Sequence, residues 1–230
     1  TLEGKGQSPT ATFFDMAGNW TTAKPAKPIN IDKTKPNITY AIMPRPNQYG
    51  WNSGVFTYVF FAATDKLSGI AGPRTTVKLV MTEGRQQKVS WAVSDKADNE
   101  KKQDVFVNVD WTPPKFTKIP EPIILTATGK SGVPVSDPAI QTFLNGAQAT
   151  DELSGLRTIT NDAPKDFFKA GTITVTFTAW DYADRTASAS STVTVVVQVD
   201  LSAKGHDFSN PKAGEVDVSE KDEETIGAYV

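Results

Sequence analysis

The chain has no cysteine, which excludes thiol catalysis, disulfides and cysteine-ligated metals together. It has one histidine, His206, set in an acidic C-terminal stretch, so a serine-histidine-aspartate triad has no base elsewhere. It has no excess of positive charge. The 24 lysines and arginines are outnumbered by 26 acidic residues, for a net charge of -2, which argues against nucleic acid as a partner. No apolar run approaches the roughly 20 residues that a membrane-spanning helix needs, and the longest, Tyr58 to Ala63, is strand-length. No secretion signal is visible, so the sequence is expected to be a processed chain or an internal piece of a longer one. A phosphate-binding loop is missing too: Gly4-Lys5-Gly6 and Ser131-Gly132 lack the strand–loop–helix setting such a loop needs.

What the chain does have is repetition. Phe13-Phe14-Asp15-Met16-Ala17-Gly18-Asn19, Val93-Ser94-Asp95-Lys96-Ala97-Asp98-Asn99 and Ala179-Trp180-Asp181-Tyr182-Ala183-Asp184-Arg185 share one pattern. A second motif, Ala-Thr-Asp-x-Leu-Ser-Gly, occurs twice, at Ala63–Gly69 and Ala149–Gly155. Two complete units and the back part of an earlier one account for this count, and repeats of this size form stacked modules with separate cores. Within the units, Thr172-Ile-Thr-Val-Thr-Phe-Thr178 and Thr192-Val-Thr-Val195 alternate with period 2, and Gly, Pro, Asn and Asp interrupt the runs at short intervals. That predicts an all-β fold of tandem antiparallel β-sandwiches. One helical turn is predicted at Asp137–Phe143, with Asp137 as N-cap and Pro138 in the first turn.

The prolines set the boundaries. Ile29-Asn-Ile-Asp-Lys-Thr-Lys-Pro36 and Val107-Asn-Val-Asp-Trp-Thr-Pro-Pro114 both read as a last strand followed by a stiffened linker. The expected organisation is 1–35, the C-terminal two strands of a preceding repeat; 36–113 and 114–200, two complete sandwiches; and 201–230, an acidic tail or linker. Two strands alone bury little, so Phe13, Trp20, Ile29 and Ile31 are expected to need cover from a neighbouring module or another copy.

Gly50-Trp51, Ala63-Thr64-Asp65, Ser68-Gly69, Glu83-Gly84, Asp95, Ala97, Asn99 and Val109-Asp110 together resemble a bacterial immunoglobulin-like surface repeat. The second unit is similar to a hyalin-repeat (HYR) domain through Pro120, Ala149–Gly155, Asn161-Asp-Ala-Pro164, Phe168, Gly171, Val175-Thr-Phe-Thr178 and Asp181. It departs from the animal pattern in lacking both cysteines and in carrying Asp184-Arg185 where Gly-Asn is usual. The resemblance implies extracellular, secreted or surface-attached modules that act as spacers or adhesive stalks.

The repeated aspartates are the candidate site. Aspartate caps tight turns by accepting from nearby backbone N–H groups. Loops rich in Asp, Asn and carbonyls also supply the six to eight oxygens that calcium takes. The candidate calcium ligands are Asp65, Asp95, Asp98 and Asn99 in the first full unit, and Asp151, Glu152, Asp181 and Asp184 in the second; neither set has EF-hand spacing. Paired carboxylates for hydrolysis would have to face each other across a cleft, which turn residues of a sandwich do not offer. Among the tryptophans, Trp91 is predicted to be core, Trp51 to cover one end of its unit, and Trp20, Trp111 and Trp180 to serve contacts with neighbours. Trp180 should face away from Phe177 by strand parity. The sequons at Asn19 and Asn37 permit glycosylation.

The function expected from all this is non-catalytic: a structural module of a prokaryotic extracellular surface protein, such as a surface-layer or assembly component or an adhesin stalk. The alternative is an accessory Ig-like region of a secreted polysaccharide- or peptide-degrading enzyme. Neighbouring Ig-like modules, copies of the same protein, or a cell-surface glycan or protein are the expected partners.

Overall fold

The computed structural model describes residues 2–127 and 129–197. The acidic stretch 201–230, with His206, lies outside the described residues. Contacts divide the chain into two compact units. Among the described residues, the first holds those up to Thr112 with Tyr182–Arg185, and the second holds Pro113–Asp181 and Thr186–Val197.

The first unit opens with four short strands: β1 (Gly4–Gln7), β2 (Ala11–Phe14), β3 (Trp20–Ala23) and β4 (Ile29–Ile31). β2 and β3 form a hairpin and β1 pairs with β4, all antiparallel. Two strands were expected here. Pro9, Pro25 and Pro28 cut the run into shorter pieces, because proline cannot donate to a ladder. Phe13, Trp20 and Ile29 are exposed and Ile31 is half-buried.

The sandwich proper follows: β5 (Asn37–Met43), β6 (Trp51–Asn52), β7 (Thr57–Thr64), β8 (Thr75–Val80), β9 (Gly84–Ser94) and β10 (Glu100–Val109). One sheet runs β5-β7-β8 and the other β6-β10-β9. β7 alternates buried and exposed residues along its whole length, as a strand with one face on a core must. Val59, Phe61 and Ala63 from β7 meet Val105, Val107 and Val109 from β10, with Ile38, Ile70, Val80 and Val93 closing the core. Trp91 was expected at its centre. It is only partly buried, with its ring 5.9 Å from that of Phe61, which is the fully buried aromatic. Trp51 is buried, and Trp111 packs against the core edge, where its backbone N–H donates to Glu83 Oε1 at 2.7 Å.

The second unit contains β11 (Lys115–Lys118), β12 (Ile123–Ala127), β13 (Val133–Pro134), α1 (Pro138–Leu144), β14 (Gln148–Thr150), β15 (Leu156–Asn161), β16 (Phe167–Phe168), β17 (Gly171–Asp181) and β18 (Thr186–Val197). Its main sheet runs β12-β18-β17-β15, with β11-β14 and β13-β16 as smaller pairs. α1 falls where the sequence predicts it. Asp137 accepts from the Ala139 N–H at 2.8 Å, Pro138 fills the first turn, and Ile140 and Phe143 face the core. The Phe143 and Phe177 ring centroids are 5.8 Å apart at the centre of that core. Gly132, with φ +93°, lies so close to β16 that a Cβ there would collide with the Phe168 carbonyl oxygen. In each unit one short strand pairs parallel with the last strand, β6 with β10 and β12 with β18, while the other pairings are antiparallel.

Because the two cores share no residues, each Phe→Ala change should act on its own unit. Phe61→Ala should destabilise the first unit, and Phe177→Ala the second, by about 3–5 kcal/mol each. Amide exchange resolved by segment would check this: protection should fall only in the mutated unit.

Candidate functional site

The first two Asp-x-Ala-x-x turns are capped alike, and all three share a left-handed fourth residue. In the first, Asp15 Oδ1 accepts from the N–H of Ala17 at 2.9 Å and of Asn19 at 2.8 Å. In the second, Asp95 Oδ1 accepts from Ala97 at 2.8 Å and Asn99 at 2.9 Å. In both, the asparagine side chain donates to the other carboxylate oxygen at 2.8 Å. The fourth residue of the turn must be left-handed. Gly18 has φ 85°, Asp98 φ 63° and Asp184 φ 61°. Glycine and aspartate reach that region at low cost, which accounts for Asp184 standing where a glycine is usual. Arg185 replaces the asparagine in the third turn.

The Asp-x-Leu-Ser-Gly turns are also caps. Asp65 Oδ1 accepts from Leu67 N–H at 3.1 Å and Gly69 N–H at 2.8 Å. Asp151 Oδ1 accepts from Gly155 N–H at 2.6 Å and from the Ser154 hydroxyl at 3.2 Å.

The fold of the first unit brings two of these caps together with a third carboxylate. One oxygen from each of Asp32, Asp65 and Asp95 lies within 4.8 Å of the others. Asp32 comes from the segment after β4. Its Oδ2 accepts from Ser68 N–H at 2.8 Å and its backbone carbonyl accepts from Asn99 Nδ2 at 3.2 Å. Asp95 is fully buried; Asp32 and Asp65 are half-buried. The ion pairs Lys88–Asp104 and Lys102–Asp104 lie elsewhere. Three carboxylates this close repel one another unless a proton or a cation sits among them.

The hydrogen bonds decide the protonation. Hydrogen bonding from Ser68, ahead of the opposing cost of burial, holds the Asp32 carboxyl below its ordinary value. Burial pushes Asp95 up, but hydrogen bonds from Asn99 and Ala97 outweigh it and the net shift is downward. Both carboxyls are therefore charged at neutral pH, and the cluster is anionic.

The candidate ligands read from the sequence divide accordingly. Asp65 and Asp95 are in the cluster. Asp98 is an exposed turn residue and contributes no oxygen to it. Asn99 turns its nitrogen, not its oxygen, toward Asp95 and Asp32, so it braces the site as a donor. Asp32 was missed. The signal for it was present, because Asp32 holds the same place as Asp110 in the two aligned linkers. In the second unit, carboxylate oxygens of Asp151 and Asp181 lie within 4.8 Å of each other, with Asp181 buried. Glu152 and Asp184 are exposed and stand apart from them. Trp180 faces away from Phe177, and the Arg157 guanidinium sits 5.4 Å from the centre of its ring.

Residues 109–196 match the HYR domain model. The resemblance carried by Ala149–Gly155 and Asp181 is borne out for that segment, which covers β11 to nearly the end of β18. No curated protein matches the chain. Among solved structures, it is similar to the protocadherin gammaB4 extracellular domain at 15% identity and a TM-score of 0.32, covering 83% of this chain and 38% of that one. It is also similar to the protocadherin gammaB7 EC3-6 cis-dimer at 14% identity and a TM-score of 0.28, covering 83% and 56%. The chain thus spans little more than a third and just over half of those proteins, and likenesses this weak carry no functional argument.

Asp32 and Asp95, like Asp15 and Asp104 in the same unit, are held below the ordinary carboxyl value and so contribute to its acid sensitivity. A carboxyl whose folded value lies below its unfolded one stabilises fully above the unfolded value and loses that effect as pH falls through the folded one. Melting temperature should therefore hold from neutral pH down to about 5 and fall below it. In Asp95→Asn the decline should be shallower, because that group no longer titrates. Circular dichroism melts across the acid range would show whether the two slopes differ.

Proposed function

We propose that this chain is a non-catalytic structural module of a prokaryotic extracellular surface protein, a surface-layer or assembly component or the stalk of an adhesin, with calcium as its ligand at Asp32, Asp65 and Asp95. The observation that carries this reading is the use made of the carboxylates. Asp15, Asp65, Asp95 and Asp151 each accept backbone N–H groups in a turn. Groups held in this way stiffen loops between strands; they are not poised across a cleft to move protons. The HYR match over 109–196 supports an extracellular setting and a structural or adhesive role.

Calcium fits the cluster on chemical grounds. It is a hard cation that takes carboxylate and carbonyl oxygens with flexible geometry. Three carboxylates supply three to six oxygens, and water can complete the shell. The net negative charge of the cluster favours a divalent cation, and each carboxylate keeps lone pairs beyond those used by the N–H donors. An ion here would tie the segment after β4 to the turns that follow β7 and β9, three points far apart in sequence.

Calorimetry in calcium and in chelator tests the ligand. Calcium should raise the melting temperature of the first unit, by the equivalent of about 2.7 kcal/mol when free calcium is 100 times its Kd. Asp65→Asn should abolish that rise, whereas Asp98→Asn and Glu152→Gln should leave it. An equal calcium response in Asp65→Asn would remove the ion from this site. Antibody labelling of intact cells that make the parent protein tests the setting; a wholly intracellular signal would overturn it.

A further inference from the structure

The two sheets of the first sandwich turn very different faces outward. On β9 and β10 the outward face carries a charged cluster, Lys88, Lys102 and Asp104, beside the exposed Phe106. Lys88 Nζ lies 2.7 Å and Lys102 Nζ 3.8 Å from Asp104, and Ser90 donates to Asp104 at 2.6 Å. On β5, β7 and β8 the register aligns Met43, Tyr58 and Leu79 in one row, and Ala41, Phe60 and Val77 in the next. The third row, Thr39, Ala62 and Thr75, is small. None of these nine outward positions is charged. The five large side chains of the first two rows are 38% to 50% exposed.

A solvated sheet face normally alternates polar residues against the buried ones. Here the alternation of β7 is intact, but its outer residues are as apolar as its inner ones. A fully exposed aromatic presents roughly 150–250 Å², so five half-exposed large residues form a patch on the order of 500 Å². That is at the upper end for a monomer surface. It is also continuous across three hydrogen-bonded strands.

We propose that this face is a self-association surface, on which the β5-β7-β8 sheet of one copy packs against the same sheet of a second copy about a two-fold axis. The inference rests on the reading of the chain as a module that assembles with copies of itself. Two such faces together bury about 1,000 Å², the threshold at which an interface becomes specific. The absence of charge lets the surface meet its own copy without like-charge repulsion, a condition every isologous contact must satisfy. Sheets stack about 10 Å apart with their strands aligned to within about 30°, which would set Tyr58 and Phe60 on the central strand against their counterparts. The charged β9–β10 face is excluded from such a contact, because pairing it with itself would strip water from Lys88, Lys102 and Asp104.

Sedimentation velocity on residues 1–230 over a concentration series tests this. Wild type should shift from monomer to dimer with rising concentration. Phe60→Lys combined with Leu79→Lys should weaken association at least about tenfold, the size expected when central interface residues are replaced. Phe106→Lys, an exposed change on the opposite sheet, should leave it unaltered. The substituted positions are outside the core, so unchanged melting temperatures would show that the variants fold. A wild type that stays monomeric, or a dimer indifferent to the double substitution, would overturn the proposal. So would a monomer whose face is protected from exchange only when polysaccharide is added. None of these outcomes would touch the calcium or localisation results, which test the structural-module reading separately.

Discussion

The structure depends on one interaction used repeatedly: an aspartate carboxylate that accepts the N–H groups of the residues two and four positions later. A sandwich of short strands must reverse direction every few residues, and each reversal leaves backbone donors without a ladder partner. At Asp15, Asp65 and Asp95 a single carboxylate oxygen takes both donors. The cost of burying the charge at Asp95 is offset because the hydrogen bonds are charge-assisted. The strands can then enter and leave their turns at a fixed angle, and the alternation on β7 and β10 can deliver one apolar face to the core.

The same device produces the acidic cluster as a consequence of geometry. A turn that caps with aspartate puts a negative charge at the end of a sheet. Where the ends of two hairpins and a linker converge, three such charges meet at Asp32, Asp65 and Asp95. A residue placed for local backbone reasons thereby becomes a candidate ligand for an ion that links distant parts of the unit. Asn99 shows the two roles joined in one side chain, since it donates both to the cap at Asp95 and to the carbonyl of Asp32.

Much of this could be read from residues alone. The period-2 runs in β17 and β18, the N-cap and proline of α1, and the Asp turns at 15, 95 and 181 all act over a few residues, so local pattern suffices. The four short strands of the first 31 residues were less legible, because prolines redistribute pairing among β1 to β4 in a way that depends on which partners are within reach. Trp91 and Phe61 illustrate a further limit. Both lie on inward positions of strong strands, and only the packing of the two sheets decides which ring is fully enclosed.

By itself, the sequence determined the class of fold and the turn chemistry, since strand periodicity and aspartate capping are properties of neighbouring residues. The tertiary structure alone decided which carboxylates converge and which faces are left open. Asp32 joins Asp65 and Asp95 across more than 30 intervening residues. The rows Met43-Tyr58-Leu79 and Ala41-Phe60-Val77 become one apolar surface only through the register of three strands. Convergence at such distances depends on pairing and register, and these are fixed by the burial of a whole core rather than by any local run of residues.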